Sequence, residues 1–170
     1  MTPPRPLLTI LLLPPLIGLA ACTPQRGTSQ EITADLQSYS AEMQRWEPKE
    51  TSIFQAIDDV EESEYVDDDF VLRTLKGALP ALDEHVREVS AYRPLTPDLS
   101  RLHEHYRKGW EDLRGALDVM IAAETKKDYI ELAKGKARMK EARATLLQAF
   151  AGMDALMEEN EQILKHTKKS

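Results

Sequence analysis

Apolar residues recur along most of this chain at steps of three and four. The first stretch carries them at Ile32, Leu36, Tyr39, Met43, Trp46, Ile53, Ile57 and Val60. The steps are 4, 3, 4, 3, 7, 4 and 3, which holds them on one face of a helix. Thr28 and Glu31 just ahead have the spacing of a capping box, in which each side chain satisfies the other's backbone N–H. Pro48 interrupts the stretch without shifting its phase. It predicts one kinked helix, or two collinear ones, ending near Glu62.

Three further stretches follow. Leu72, Leu75, Leu79, Leu82, Val86 and Val89 predict a helix opened by Asp67 or Asp68, bent at Pro80 and ended near Tyr92. Thr96-Pro97 reads as an N-cap followed by proline at the first helical position. Leu99, Leu102, Tyr106, Trp110, Leu113, Leu117 and Met120 continue that helix to Lys126 and Lys127. After Asp128, Leu132, Met139, Ala142, Leu146, Met153, Met157 and Leu164 mark a last helix reaching about His166. The expected fold class is all-α. Short connections favour an antiparallel up-down-up-down four-helix bundle with a kinked first helix. The outer helices look longer than the inner two, so their free ends are expected to form a two-helix stalk.

Composition agrees with helix. The 170 residues include only 7 glycines and 6 % aromatics, with 42 % hydrophobic and 30 % charged residues. That balance suits a folded domain with its own core.

The first residues differ in kind. Arg5 precedes an apolar run from Leu7 to Leu19, broken at Pro14 and Pro15. The run is too short and too proline-rich for a stable membrane-spanning helix. It ends in Leu19-Ala20-Ala21-Cys22, and Cys22 is the only cysteine. This segment resembles the lipobox of bacterial lipoproteins: an aliphatic residue, two small ones, then cysteine. The resemblance implies that residues 1–21 are a signal peptide and that lipid is attached to Cys22. It also implies a membrane anchor, of which residues 22–28 are the short tether and residues 29–170 the cargo. Two or three acyl chains hold such a protein permanently. Thr23 is not the aspartate that retains lipoproteins in an inner membrane. The expected location is therefore the periplasmic face of the outer membrane in a host with two membranes.

Charge narrows the partners. The formal net charge is −7, from 29 acids against 22 Lys and Arg. Such a surface argues against nucleic acid, whose binding is driven by cationic counterion release. Eight of the twelve residues from Asp58 to Asp69 are acidic, and Lys126 to Arg143 holds seven basic residues against three acidic ones. In the expected topology these zones meet at the pole away from the membrane. The acidic run, Asp58, Asp59, Glu61, Glu62, Glu64, Asp67, Asp68 and Asp69, is the candidate surface for an envelope protein partner. It lacks the glycine-centred spacing of a calcium loop.

Catalytic signatures are sparse. His103 and His105, two apart, diverge on a helix and cannot share a metal. His85 sits at the edge of its stripe and reads as a boundary residue. No serine has the glycine-flanked setting of a hydrolase nucleophile, and no glycine-rich phosphate loop occurs. The rings and methionines fall on core stripes and read as packing. No cofactor, metal or catalytic residue is expected. The reading is a non-catalytic helical interaction or scaffolding module, not an enzyme. The alternative is a carrier or sensor holding a small apolar ligand between the helices.

Overall fold

The computed structural model describes residues 27–61 and 68–167, with side chains as far as Glu161. These residues form four helices: α1 Ser29–Glu61, α2 Asp68–Ala91, α3 Pro97–Lys126 and α4 Tyr129–Thr167. Among the described residues there is no strand. No helix among them is long and apolar enough to cross a membrane. The signal-like segment, Cys22 and the end of the chain beyond Thr167 lie outside the described residues.

Helix boundaries follow local chemistry. The Thr28 N–H and hydroxyl both donate to Glu31 Oε2 at 2.8 Å, and the Glu31 N–H donates back to Thr28 Oγ1 at 3.3 Å. This is the reciprocal capping box. α1 then runs unbroken through Pro48. Pro48 and Gln44 are both exposed, so the carbonyl that loses its helical partner faces water. Pro80 in α2 is tolerated in the same way, with Lys76 exposed one turn earlier. α3 closes on Lys127, whose φ of 56° is the left-handed form. The Lys127 N–H donates to the Glu124 carbonyl at 3.1 Å and the Asp128 N–H to the Ala123 carbonyl at 2.9 Å. That pair of bonds ends helices at the tightest turns. Asp128 Oδ1 then accepts the N–H groups of Ile130 and Glu131 at 3.2 and 3.1 Å, opening α4.

Contacts between sequence neighbours run in reverse order. Along α1 and α2, Tyr39 meets Tyr92, Trp46 meets His85, and Lys49 pairs with Glu84 and Glu88 at 3.3 and 3.1 Å. α1 meets α4 near Leu36 and Met157 at one end, and at Asp58 and Arg143 towards the other. The broadest contact joins α3 and α4. A Cβ on Gly109 would lie 2.7 Å from the Leu146 side chain, and one on Gly135 would lie 2.6 Å from Met120. Both glycines are close-approach positions where the absent side chain lets the partner seat on the backbone.

Three expectations change. His85 is not a boundary residue: it is 0 % exposed, because it faces the rings of α1 and α3. Met157 is 43 % exposed. The buried line on α4 is instead Met139, Ala142, Leu146, Ala149, Met153, Leu156 and Asn160, an unbroken alternation of three and four. The two-helix stalk does not form. Ile32, Asp35 and Leu36 in the opening turns of α1 are already buried. Ahead of them a Cβ on Gly27 would meet Thr96 at 3.3 Å. α1 therefore begins level with the α2–α3 connection.

Candidate functional site

The acidic run meets the basic zone, as its charge pattern implies. Arg143 Nη1 donates to Asp58 Oδ1 at 2.7 Å and to Glu61 Oε2 at 2.9 Å. Its guanidinium also lies 5.4 Å from the Phe54 ring centre. Lys127 pairs with Asp68, which holds the Asp68 carboxyl below its ordinary range. Glu124 is buried beside that pair. Burial, and then the Asp68 carboxylate, push it up. Asp59 accepts from Gln55 at 2.8 Å, and Asp69 is exposed. Glu62, Glu64 and Asp67 lie outside the described residues. Of the eight candidate partner-binding acids, Asp58, Glu61 and Asp68 are thus drawn onto the protein's own cations. Among the described residues, no three His, Cys, Asp or Glu side chains converge as metal ligands.

At the opposite pole a buried carboxylate organises the elbow between α2 and α3. Asp35 Oδ2 accepts the Leu95 N–H at 2.9 Å, and the Thr96 N–H and hydroxyl at 2.7 Å each. Thr96 is the N-cap of α3, yet its hydroxyl makes no cap hydrogen bond. It is spent on Asp35. The Asp35 charge instead sits near the positive end of the α3 dipole.

Between the poles, α1, α2 and α3 enclose polar groups among aromatic rings. His103 Nε2 lies 3.0 Å from the Val89 carbonyl, and Nδ1 lies 3.0 Å from the Tyr39 hydroxyl. A carbonyl only accepts, so Nε2 carries the proton and Nδ1 accepts from Tyr39. One turn deeper, Tyr106 donates to Glu50 Oε1. That same oxygen lies 3.4 Å from His85 Nε2. Neither ring nitrogen of His85 makes a hydrogen bond. Its ring stands edge-on to Trp110 at 4.3 Å between centroids. Trp46 stacks on Tyr106 with planes 18° apart.

Burial sets the protonation of this group. It lowers His85 to about 4, raises Glu50 despite the Tyr106 hydrogen bond, and raises Tyr39 and Tyr106 above the ordinary phenol range. At neutral pH His85 is a neutral imidazole.

Sequence reasoning missed Asp35, Glu50 and His103 as interior residues. The signal was present for Glu50: the step of seven from Trp46 to Ile53 is a four and a three with Glu50 between. His103 likewise divides the interval from Leu99 to Tyr106 into four and three.

Open grooves lie between helices at the surface. One of about 260 Å³ between α1 and α4 is lined by Thr33, Leu36, Ser40, Met157 and Asn160. Another of about 430 Å³, beside the elbow, is lined by Tyr92, Arg93, His103, Glu104 and Arg107. The α3–α4 groove, about 440 Å³, is walled by Glu111, Asp112, Arg138 and Glu141.

No family model, curated protein or solved structure matches this chain.

Proposed function

We propose that this chain is an envelope lipoprotein whose helical bundle serves as a non-catalytic interaction or scaffolding module. The observation that carries the reading is the lipobox-like Leu19-Ala20-Ala21-Cys22 set directly before the capped start of α1 at Thr28. Cleavage before Cys22 and acylation of its thiol anchor the protein. In a host with two membranes the bundle then faces the periplasm from the outer membrane. A tether this short keeps the bundle at the bilayer, within reach of neighbouring envelope proteins.

The interior supports a non-catalytic role. Glu50 and His85 are buried and directed at one another, and the buried Tyr39 hydroxyl is directed at His103. The same rings occupy the space between α1, α2 and α3, which favours the module over the ligand carrier.

The test is palmitate labelling of wild type and Cys22→Ser in cells, followed by cross-linking of intact cells, capture and mass spectrometry. Label lost with the serine variant, together with one dominant cross-linked protein, supports the reading. Equal labelling of both overturns the anchor. Capture of the protein alone overturns the adaptor role.

A further inference from the structure

We propose that the α2–α3 elbow is a membrane-contact surface in which Leu95 inserts into the lipid bilayer beside the anchor. The inference rests on the lipoprotein reading and goes beyond it by fixing which face of the bundle meets the membrane.

Leu95 is 86 % exposed, the most exposed large apolar side chain among the described residues. It does not sit on a loose loop. Its N–H is held by the buried Asp35 carboxylate, and so are both donors of its neighbour Thr96. Pro94 and Pro97 flank the pair and fix two backbone angles. The backbone thus fixes an exposed leucine at this pole.

The chain outside the structure identifies that phase. Gly27 lies against Thr96, within 3.3 Å of its Cγ2 for an added Cβ. Cys22 is five residues earlier, so even a fully extended tether spans at most about 18 Å. The acyl chains therefore enter the membrane close to the elbow.

The neighbouring chemistry fits an interface. Arg93 is exposed where α2 ends, its guanidinium folded onto the Ser90 and Tyr92 carbonyls at 2.6 Å each. The far end of α4 reaches the same pole, since Asn160 and Met157 line a groove with Thr33 and Leu36. Of the acidic run, Asp58, Glu61 and Asp68 lie at the opposite pole, beside Arg143 and Lys127.

Acylation consumes the single native thiol, so Leu95→Cys supplies a unique attachment point for an environment-sensitive dye. The lipidated full chain is reconstituted in phosphatidylethanolamine–phosphatidylglycerol vesicles doped with brominated acyl chains, and intact mass establishes lipid on Cys22. The expected result is a blue-shifted dye at position 95, quenched by the brominated lipid. A dye placed by Thr125→Cys at the other pole stays water-exposed. A lipidated, vesicle-bound protein whose dye at 95 stays in water overturns the elbow contact and leaves the anchor standing. A chain whose Cys22 carries no lipid overturns both.

Discussion

Asp35 and Thr96 are sixty-one residues apart in sequence and joined by two hydrogen bonds of 2.7 Å to one carboxylate oxygen. With the Leu95 N–H they make a three-donor cradle. It ties the second turn of α1 to the start of α3 and sets the angle at which α2 returns.

Asp35→Ala removes the acceptor for three donors, two of them on buried Thr96. Charge-assisted hydrogen bonds and orphaned buried donors set the expected cost at roughly 3 kcal/mol. Asp35→Asn, which keeps one acceptor oxygen, loses less. Urea denaturation of the three proteins checks the order. A loss for alanine below about 0.5 kcal/mol, the range of ordinary surface changes, would show that the cradle contributes nothing.

His85 makes stability depend on pH. Its folded-state value of about 4 lies below the ordinary 6.5, so the unfolded chain takes the proton first on acidification. Its contribution is complete above 6.5 and drains away as pH falls towards 4. His85→Phe should lose that slope. The difference between wild type and variant is expected to change by roughly 3 kcal/mol across the window. Denaturation midpoints at a series of pH values measure it, and parallel profiles would contradict it.

Glu50 acts with the opposite sign. Burial raises its carboxyl, so the unfolded chain ionises first as pH rises and stability declines. Glu50→Gln keeps an oxygen for Tyr106 and carries no charge. The variant is expected to be more stable than wild type at neutral pH, with the gap closing in acid. Thermal melts at both ends of the range decide the matter. A variant weaker than wild type at neutral pH means that the carboxylate is favoured where it lies.

The helical glycines should divide into two groups. Gly115 is exposed, and a Cβ there meets nothing within 4 Å. Gly115→Ala should therefore stabilise by about 0.5–1 kcal/mol. At Gly109 the added carbon would press on the Leu146 side chain and, at 3.3 Å, on its backbone nitrogen. Gly109→Ala should destabilise by about 1–3 kcal/mol. Opposite shifts in melting temperature confirm the pair.

Arg143 bridges the two charged zones from a half-buried position. Arg143→Ala is expected to cost about 1 kcal/mol, less in high salt, since pairs this accessible are screened. Repeating the denaturation with added salt tests both the loss and its screening.

The helices were legible because their ends carry explicit chemistry: the Thr28–Glu31 box, Pro97 at a first turn, Asp128 before α4. The stripes on α1 to α3 were legible because apolar spacing records burial directly. The interior polar groups were hidden because that spacing weighs only apolar letters. Glu50 and His103 keep the right phase but have the wrong chemistry for such a reading. Asp35 is interior for a reason no local pattern holds, since its three donors arrive from the elbow. On α4 the apolar spacing leads through Met157, although Leu156 and Asn160 keep the strict alternation. Buried asparagine beside exposed methionine reverses what residue type alone suggests.

The close seating of α3 on α4 at Gly109 and Gly135 reaches into how the molecule responds to load. These helices meet across one tight turn and share the broadest contact in the bundle. α1 touches α4 far less broadly. A tug delivered at the amino end falls first on α1 and its Asp35 cradle. The bundle is expected to give way where the load enters, with the broadly packed α3–α4 hairpin opening last.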